Sequence, residues 1–302
     1  VREFRPEIIY SLLGNIRLVR LVVDLSDRYE LPVVPHFMDD WISTYAVPGK
    51  SYGSAIHKRV LRRALKTLFE RVPVGMAIGD AMASEYENTF QRRFFGFMNP
   101  VDVEPASGQL CRENVSPLRF VYTGGLHLGR ASALEKIGAA LGMLEDEGIY
   151  AELHLYVPKH DEDVAISLVE RESAIRFGGS LPPDRVHEVL RTFDVAVHVE
   201  SFDSSDSAYT RLSVSTKIPQ YFAAGLPVFA YGPRNLASCR YVCENRCGIV
   251  VGSPQLEDIL VSLREITSDA TFRQLLGEAA WERAYEFHRS DLVRSHFRQV
   301  LA

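Results

Sequence analysis

Short apolar runs, bounded by glycine, proline or charged residues, alternate along this chain with longer stretches whose apolar residues return every three or four positions. The short runs read as strands. In the first part they are Ile8–Leu13, Pro32–Phe37, Val74–Ile78 and Phe94–Phe97. In the second they are Leu118–Thr123, Glu152–Val157, Ile175–Phe177, Val195–Val199, Val228–Tyr231 and Gly248–Val251. Helical periodicity lies between them at 16–29, 54–72, 80–92 and about 130–146, and the tail from 255 to 302 is helical. Such alternation predicts an α/β chain with parallel sheets and crossover helices. Residues 99–117 break the pattern with Asn99-Pro100, Pro105, Gly108 and Ser116-Pro117 and read as a linker. Two doubly wound domains follow, with a ligand expected in a cleft at the C-terminal ends of the strands.

Composition narrows the classes. The 302 residues suffice for two cores, and 46% hydrophobic with 24% charged residues fit a soluble globular protein. A net charge of −5 implies no general affinity for nucleic acid. The absence of a long apolar run or leader pattern predicts a non-spanning, cytoplasmic protein. Cys239, Cys243 and Cys247 recur every four residues, which puts at least the first two on one helical face. Without a C-x-x-C pair or nearby histidine, they read as small buried thiols rather than metal ligands. Asp39 and Asp40 are adjacent rather than spaced as Asp-x-Asp, so no metal is expected. Gly49-Lys50-Ser51 is not a P-loop, because position 44 is threonine. The missing G-x-G-x-x-G fingerprint disfavours a dinucleotide-binding dehydrogenase.

Four segments carry candidate chemistry. Residues 215–230 read as loop, short helix, glycine stop and buried strand, with Ser215 or Thr216 as cap and Lys217 in the first helical turn. A lysine and hydroxyls at a helix N-terminus make a phosphate seat, the alternative being an ordinary capped helix with a solvated lysine. Val121 to Arg130 runs from strand through Gly124-Gly125 into a helix, either a phosphate turn clamped by Arg130 or a plain structural turn. Asp194 to Asp203 is a strand ending in acids, where Glu200 is either a site residue or a solvated carboxylate. His36, Asp39, Asp40 and Trp41 follow a buried strand. They offer an imidazole, two acids and a sugar-stacking ring, or else a capping aspartate pair with a core-packed tryptophan. The helix from His57 to Val72 sets Lys58, Arg59, Arg62, Arg63, Lys66 and Arg71 opposite an apolar stripe. It reads as a sheet-packing helix with a basic outer face, or as a contact for anionic membrane.

Residues 215–230 resemble the donor-binding segment of retaining GT-B glycosyltransferases of the family 4 type, commonly Ser-Lys-(Leu/Ile)-x-Glu-Tyr-x-Ala-x-Gly-x-Pro-Val. Lys217, Tyr221, Ala223, Gly225, Pro227 and Val228 match, and Gln220 stands at the usual glutamate. The turn at 121–130 resembles the family's Gly-Arg-Leu-x-x-x-Lys, with Gly125 for the arginine and Arg130 for the lysine. Phe177-Gly-Gly-Ser-Leu resembles the base pocket, with Gly179, Ser180 and Leu181 as candidates and Val186 and Leu190 as core. By register Glu200 matches the first glutamate of the family's Glu-x7-Glu and Gln220 the second, separated by an enlarged polar loop from Ser201 to Val214.

The resemblance implies two Rossmann-like domains facing a cleft. Residues 1–105 form an acceptor-side domain, reduced or truncated because the chain opens on a segment resembling that domain's middle. Residues 106–285 form the donor domain, and 286–302 a helix returning to the first. It also implies a nucleotide-diphosphate sugar as donor substrate, no cofactor, and transfer with retention to a glycan, lipid-linked or small-molecule acceptor. Arg130 and Lys217 would hold the diphosphate beside Gly124, Gly125, Ser215 and Thr216, with Gln220 on the ribose and Glu200 by the sugar. His36, Asp39, Asp40 and Trp41 would face the acceptor. Two alternatives stay open: a catalytically inactive nucleotide-binding partner subunit, which Gln220 and the short first domain favour, and a nucleotide-sugar epimerase.

Overall fold

The computed structural model describes residues 3–44, 55–104 and 116–302. The chain divides into two compact units. The first takes the chain up to Asn99 together with Ala208–Val214 and Val293–Ala302, and the second takes Pro100–Ser207 and Ser215–Leu292. Most of the expected linker, including Pro105 and Gly108, lies outside the described residues, as do Gly49-Lys50-Ser51 and Cys111.

The first unit is a parallel sheet of β1 (Ile9–Leu12), β2 (Val33–Phe37), β3 (Val74–Ala77) and β4 (Arg93–Gly96), in the order β1-β2-β3-β4. Between the strands run α1 (Ile16–Tyr29), the short α2 (Trp41–Thr44), α3 (Ala55–Phe69) and α4 (Asp80–Phe90). Helix α1 starts where the Asn15 side chain accepts from the Arg17 and Leu18 N–H groups at 3.0 and 3.1 Å, and it buries Val19, Val22 and Val23. Helix α3 buries Leu61, Leu65, Leu68 and Phe69 in the same core as Phe37, Phe94 and Met82. Each fully buried side chain of this kind contributes about 2 kcal/mol.

In the second unit the strands are β5 (Leu118–Thr123), β6 (Ala151–Tyr156), β7 (Ile175–Gly179), β8 (Val195–Val199), β9 (Val228–Tyr231) and β10 (Gly248–Val251). The helices from here to the end of the chain, not all of them within this unit, are α5 (Arg130–Glu145), α6 (Glu162–Arg171), α7 (Val186–Leu190), α8 (Ser204–Thr210), α9 (Lys217–Ala223), α10 (Ala237–Glu244), α11 (Leu256–Ser268), α12 (Ala270–Phe287) and α13 (Ser290–Leu301). All strands are parallel in the order β10-β9-β8-β5-β6-β7. The chain therefore winds outward from β5 in one direction, returns at β8 and winds in the other. Crossover helices diverge at that reversal and leave a crevice outside the strand ends, which is where open α/β sheets bind ligands.

The polar stretch 201–214, expected as loop, contains α8. The Asp203 carboxylate accepts from the Ser205 N–H at 2.8 Å and the Asp206 N–H at 3.3 Å, an N-terminal cap written in the sequence as Asp-Ser-Ser-Asp. The last turn of α8 and the residues after it belong to the first unit, where Leu212 enters the core. Helix α13 likewise ends in the first unit and packs Val293, Phe297 and Val300 against Val34, Met76 and Phe97.

Cys239 and Cys247 are buried and Cys243 is exposed, so the expected shared buried face holds for only one cysteine of α10. Burial pushes the Cys239 and Cys247 thiols up to about 12 and leaves them unreactive.

Candidate functional site

The sheet register aligns the strand ends at the β5–β8 reversal. Gly124 N–H bonds the Tyr156 carbonyl at 2.8 Å, Val157 N–H bonds Gly179 at 3.0 Å, and Glu200 N–H bonds Tyr231 at 2.9 Å. Helix α9 is pinned across this row by Tyr221. The fully buried Tyr221 hydroxyl accepts the Thr123 N–H at 3.1 Å and lies 3.0 Å from the Thr123 hydroxyl. With Tyr221 fixed, Lys217 one turn earlier reaches the end of β5. Its ammonium donates to the Tyr122 hydroxyl at 3.1 Å and sits 4.3 Å from the centre of that ring.

Gly124 makes room for this. Its φ is +126°, and a Cβ there would stand 3.0 Å from Lys217 Nζ and 3.1 Å from Lys217 Cδ. Tyr122 in turn donates to the Gly125 carbonyl at 2.6 Å. Arg130 opens α5, with its Nη1 3.4 Å from the His127 imidazole and its Nε buried without a protein partner. Desolvation and the Arg130 charge pull the Lys217 ammonium down to about 7, and Glu200 opposes them. Among the described residues neither Lys217 nor Arg130 forms an ion pair.

Glu200 directly follows β8 and is almost fully buried, and His198, two residues earlier on that strand, places Nε2 3.0 Å from a Glu200 carboxylate oxygen. Burial lowers the His198 pKa, which leaves it neutral, so Nε2–H donates to the carboxylate. Lys217, Arg130, Glu200, Gly124 and Gly125 thus lie together at this reversal. Tyr122, Tyr221 and His198 were missed. A tyrosine or histidine within an apolar strand reads as core until the helix that crosses it is known.

Three sequence expectations are corrected here. Thr216 occupies the cap position of α9 but makes no capping bond, and the Ser215 N–H donates to the Ser238 hydroxyl at 3.1 Å. The first two N–H groups of α5 are not free for a ligand. Arg130 N–H turns back to the His127 carbonyl at 3.3 Å and Ala131 N–H to that of Leu126 at 3.2 Å. Positive charge is supplied by side chains instead. Gln220 is half-buried one turn after Lys217, while Gly179, at φ +88°, and Leu181 are half-exposed and Ser180 is exposed at the end of β7. Leu190 is core, as expected, and Val186 is only half-buried.

The first unit uses its candidates differently. Trp41 is 5% exposed, packs on Phe37 and donates its indole N–H to the Leu13 carbonyl at 2.6 Å. It offers no stacking face, which selects the core-packed reading. Asp40 is fully buried and accepts from the Tyr86 hydroxyl at 3.0 Å and from Arg211 at 3.3 Å. The half-buried Asp39 accepts from the Tyr209 hydroxyl. The two acids therefore anchor residues 208–214 rather than face an acceptor. His36 is 6% exposed among Tyr10 and Phe97, with Nδ1 2.8 Å from the Tyr10 hydroxyl. Burial drives it down to about 4, so it is a packed neutral imidazole and not an open catalytic group.

Asp40→Ala leaves the buried Tyr86 hydroxyl unsatisfied and should lower stability by about 2 kcal/mol in chemical denaturation. Unchanged stability with lost activity would return Asp40 to substrate contact.

No family model matches the sequence, and neither does any curated protein. Solved structures do match. The chain is similar to a sucrose-phosphate synthase from Thermosynechococcus elongatus over 99% of its own length and 74% of that chain, at 11% identity and a TM-score of 0.72. HepE of Anabaena, solved with UDP and glucose, matches over 98% and 77% at 13% identity and a TM-score of 0.69. WaaG, a glycosyltransferase involved in lipopolysaccharide biosynthesis, matches over 91% and 79% at 16% identity and a TM-score of 0.59. The fold is GT-B. Among the described residues no helix is long and apolar enough to cross a membrane.

Proposed function

We propose that the second unit holds a nucleotide-diphosphate sugar at the β5–β8 reversal and that the chain transfers the sugar to a carbohydrate, lipid-linked or small-molecule acceptor. One observation carries the reading. Lys217 and Arg130 are close enough to repel each other, and among the described residues neither has an ionic partner. A diphosphate supplies the missing charge, and two fixed cations stabilise it as it leaves. Gln220 would accept from the ribose through its amide oxygen, backbone groups of Gly179, Ser180 and Leu181 would hold the base, and Glu200 would lie by the sugar. Retention without a metal belongs to the same proposal. The bond from the anomeric carbon to the diphosphate breaks, the acceptor oxygen bonds to that carbon from the same face, and the acceptor proton passes to a diphosphate oxygen. HepE has been solved with UDP and with UDP-glucose, which makes uridine nucleotides the first donors to test.

Incubation with UDP-glucose, GDP-mannose and dTDP-glucose, with and without glycan and lipid-linked acceptors, should release nucleoside diphosphate from one donor. Binding of that donor with neither transfer nor hydrolysis would favour an inactive partner subunit, for which Gln220 in place of a carboxylate is the specific argument. A basic face accompanies the site. Helix α3 exposes Arg59, Arg62, Arg63 and Lys66, and we extend the proposal to contact with anionic membrane through that face. Equal flotation of wild type and Arg62→Glu/Lys66→Glu with anionic vesicles would refute the extension.

The site also sets a pH dependence. Free Lys217 titrates at about 7, and a bound diphosphate returns it toward the ordinary 10.5. Between these values binding takes up a proton, so affinity is full below pH 7 and falls as pH rises, approaching tenfold per unit. Calorimetry at pH 8 in buffers of different ionisation heat should return an uptake close to one proton. Proton release would contradict it.

A further inference from the structure

Lys217 and Arg130 share the turn after β5 with an imidazole. The ring of His127 lies against Gly125, so near that a Cβ at position 125 would stand 2.8 Å from its Nδ1 and 2.9 Å from its Cε1. Its Nε2 is 3.4 Å from Arg130 Nη1. A guanidinium only donates, so in this arrangement Nε2 accepts and the ring is neutral, with its proton on Nδ1. The same turn reaches Lys217, because the Gly125 carbonyl accepts from the Tyr122 hydroxyl, which in turn takes the ammonium at 3.1 Å. Asp161, in the short turn Lys159–Asp161 before α6, steadies the segment by accepting the Leu126 N–H at 2.9 Å. His127 is exposed, so a ligand that reaches Arg130 Nη1 reaches the imidazole as well.

We propose that His127 is a third phosphate ligand that acts through a proton: neutral, it holds Arg130 in the free site, and on binding it takes up a proton at Nε2 and donates that N–H to the phosphate that Arg130 contacts. The proposal rests on the donor-site reading above and says how that site grips its anion. The proton comes from solvent, the bond between Arg130 and His127 is exchanged for two bonds to phosphate oxygens, and no covalent bond changes. The groups that face the imidazole set the direction. Desolvation and the Arg130 charge hold its pKa below the ordinary value, Asp161 opposes them, and Lys217 and His160 lower it further. A diphosphate among these cations reverses the balance and raises it. The added affinity is therefore full below the pKa of the free imidazole and is lost as pH rises through that of the complex.

The test is calorimetric binding of pyrophosphate and of UDP to the whole chain at pH 5.5 and pH 8. In His127→Asn the amide oxygen still accepts from Arg130 but takes up no proton. This variant should bind both ligands at least about fivefold more weakly than wild type at pH 5.5 and within about twofold at pH 8. At pH 6, in buffers of different ionisation heat, wild type should take up roughly half a proton more than His127→Asn, a difference from which the ligand's own protons cancel. Gly125→Ala provides a second route, since the backbone there is not left-handed and the new methyl group would displace the imidazole. It should show the same pH-dependent loss, with no further loss in Gly125→Ala/His127→Asn. A loss of equal size at both pH values would reduce His127 to a support for Arg130 and overturn the proposal. If wild type binds UDP, Lys217→Ala does not, and His127→Asn matches wild type throughout, the donor-site reading stands and this proposal falls. A wild-type chain that binds neither ligand overturns both.

Discussion

Lys217→Ala should lower sugar transfer by about a thousandfold while leaving the fold intact. The ammonium is half of the positive charge at the β5–β8 reversal, and stabilisation of developing charge by a fixed donor of this kind is commonly worth a factor of 10²–10³. Stability should not fall, for a physical reason. Burial and Arg130 already hold the ammonium down to about 7, so the free protein bears a desolvation cost that alanine removes. Tyr221, not Lys217, anchors α9 to β5. Denaturant melts of Lys217→Ala should match or exceed wild type at neutral pH. Near-normal turnover would move the site elsewhere, and an unfolded variant would make Lys217 structural.

Gly124→Ala should be the most damaging single-methyl change in the second unit's site. Two costs coincide. The backbone at φ +126° is open to glycine and strained for any side chain, at of order 1–3 kcal/mol. The new Cβ would also press on the Lys217 side chain at 3.0 Å, pushing the ammonium off the Tyr122 hydroxyl. Stability should drop by about 2 kcal/mol, and pyrophosphate affinity should fall at least about tenfold. Loss of stability with unchanged affinity would show that the lysine relocates without consequence and would separate the turn from the ligand.

The sheet was legible because a parallel strand covered on both faces must be apolar throughout. Leu118–Thr123, Val195–Val199, Val228–Tyr231 and Gly248–Val251 coincide with the strands observed. Gly225, at φ +70°, ends α9 just past its last turn, as its place in the sequence indicates. What could not be read was which polar residue answers which. Asp39, Asp40 and Trp41 have the composition of a sugar site, and only the return of Tyr209 and Arg211 to the first unit shows those acids already engaged. His198 carries no signal at all. A histidine in an apolar strand is a core residue in sequence, and its bond to Glu200 two positions on shows only in the fold. The cap expected at Ser215 or Thr216 is not made by Thr216, which holds the cap position of α9 without accepting from any of its N–H groups.

The central claim is that Lys217 and Arg130 form a seat for a nucleoside diphosphate, and thermal unfolding with UDP, GDP, dTDP and ADP tests it most directly, each nucleotide against wild type and Lys217→Ala. A ligand at a hundred times its Kd stabilises by about 2.7 kcal/mol, a shift of several degrees for a unit of this size. The account predicts such a shift with one nucleotide, smaller with the corresponding monophosphate and lost in Lys217→Ala. Equal shifts in wild type and Lys217→Ala, or none with any nucleotide, would contradict it.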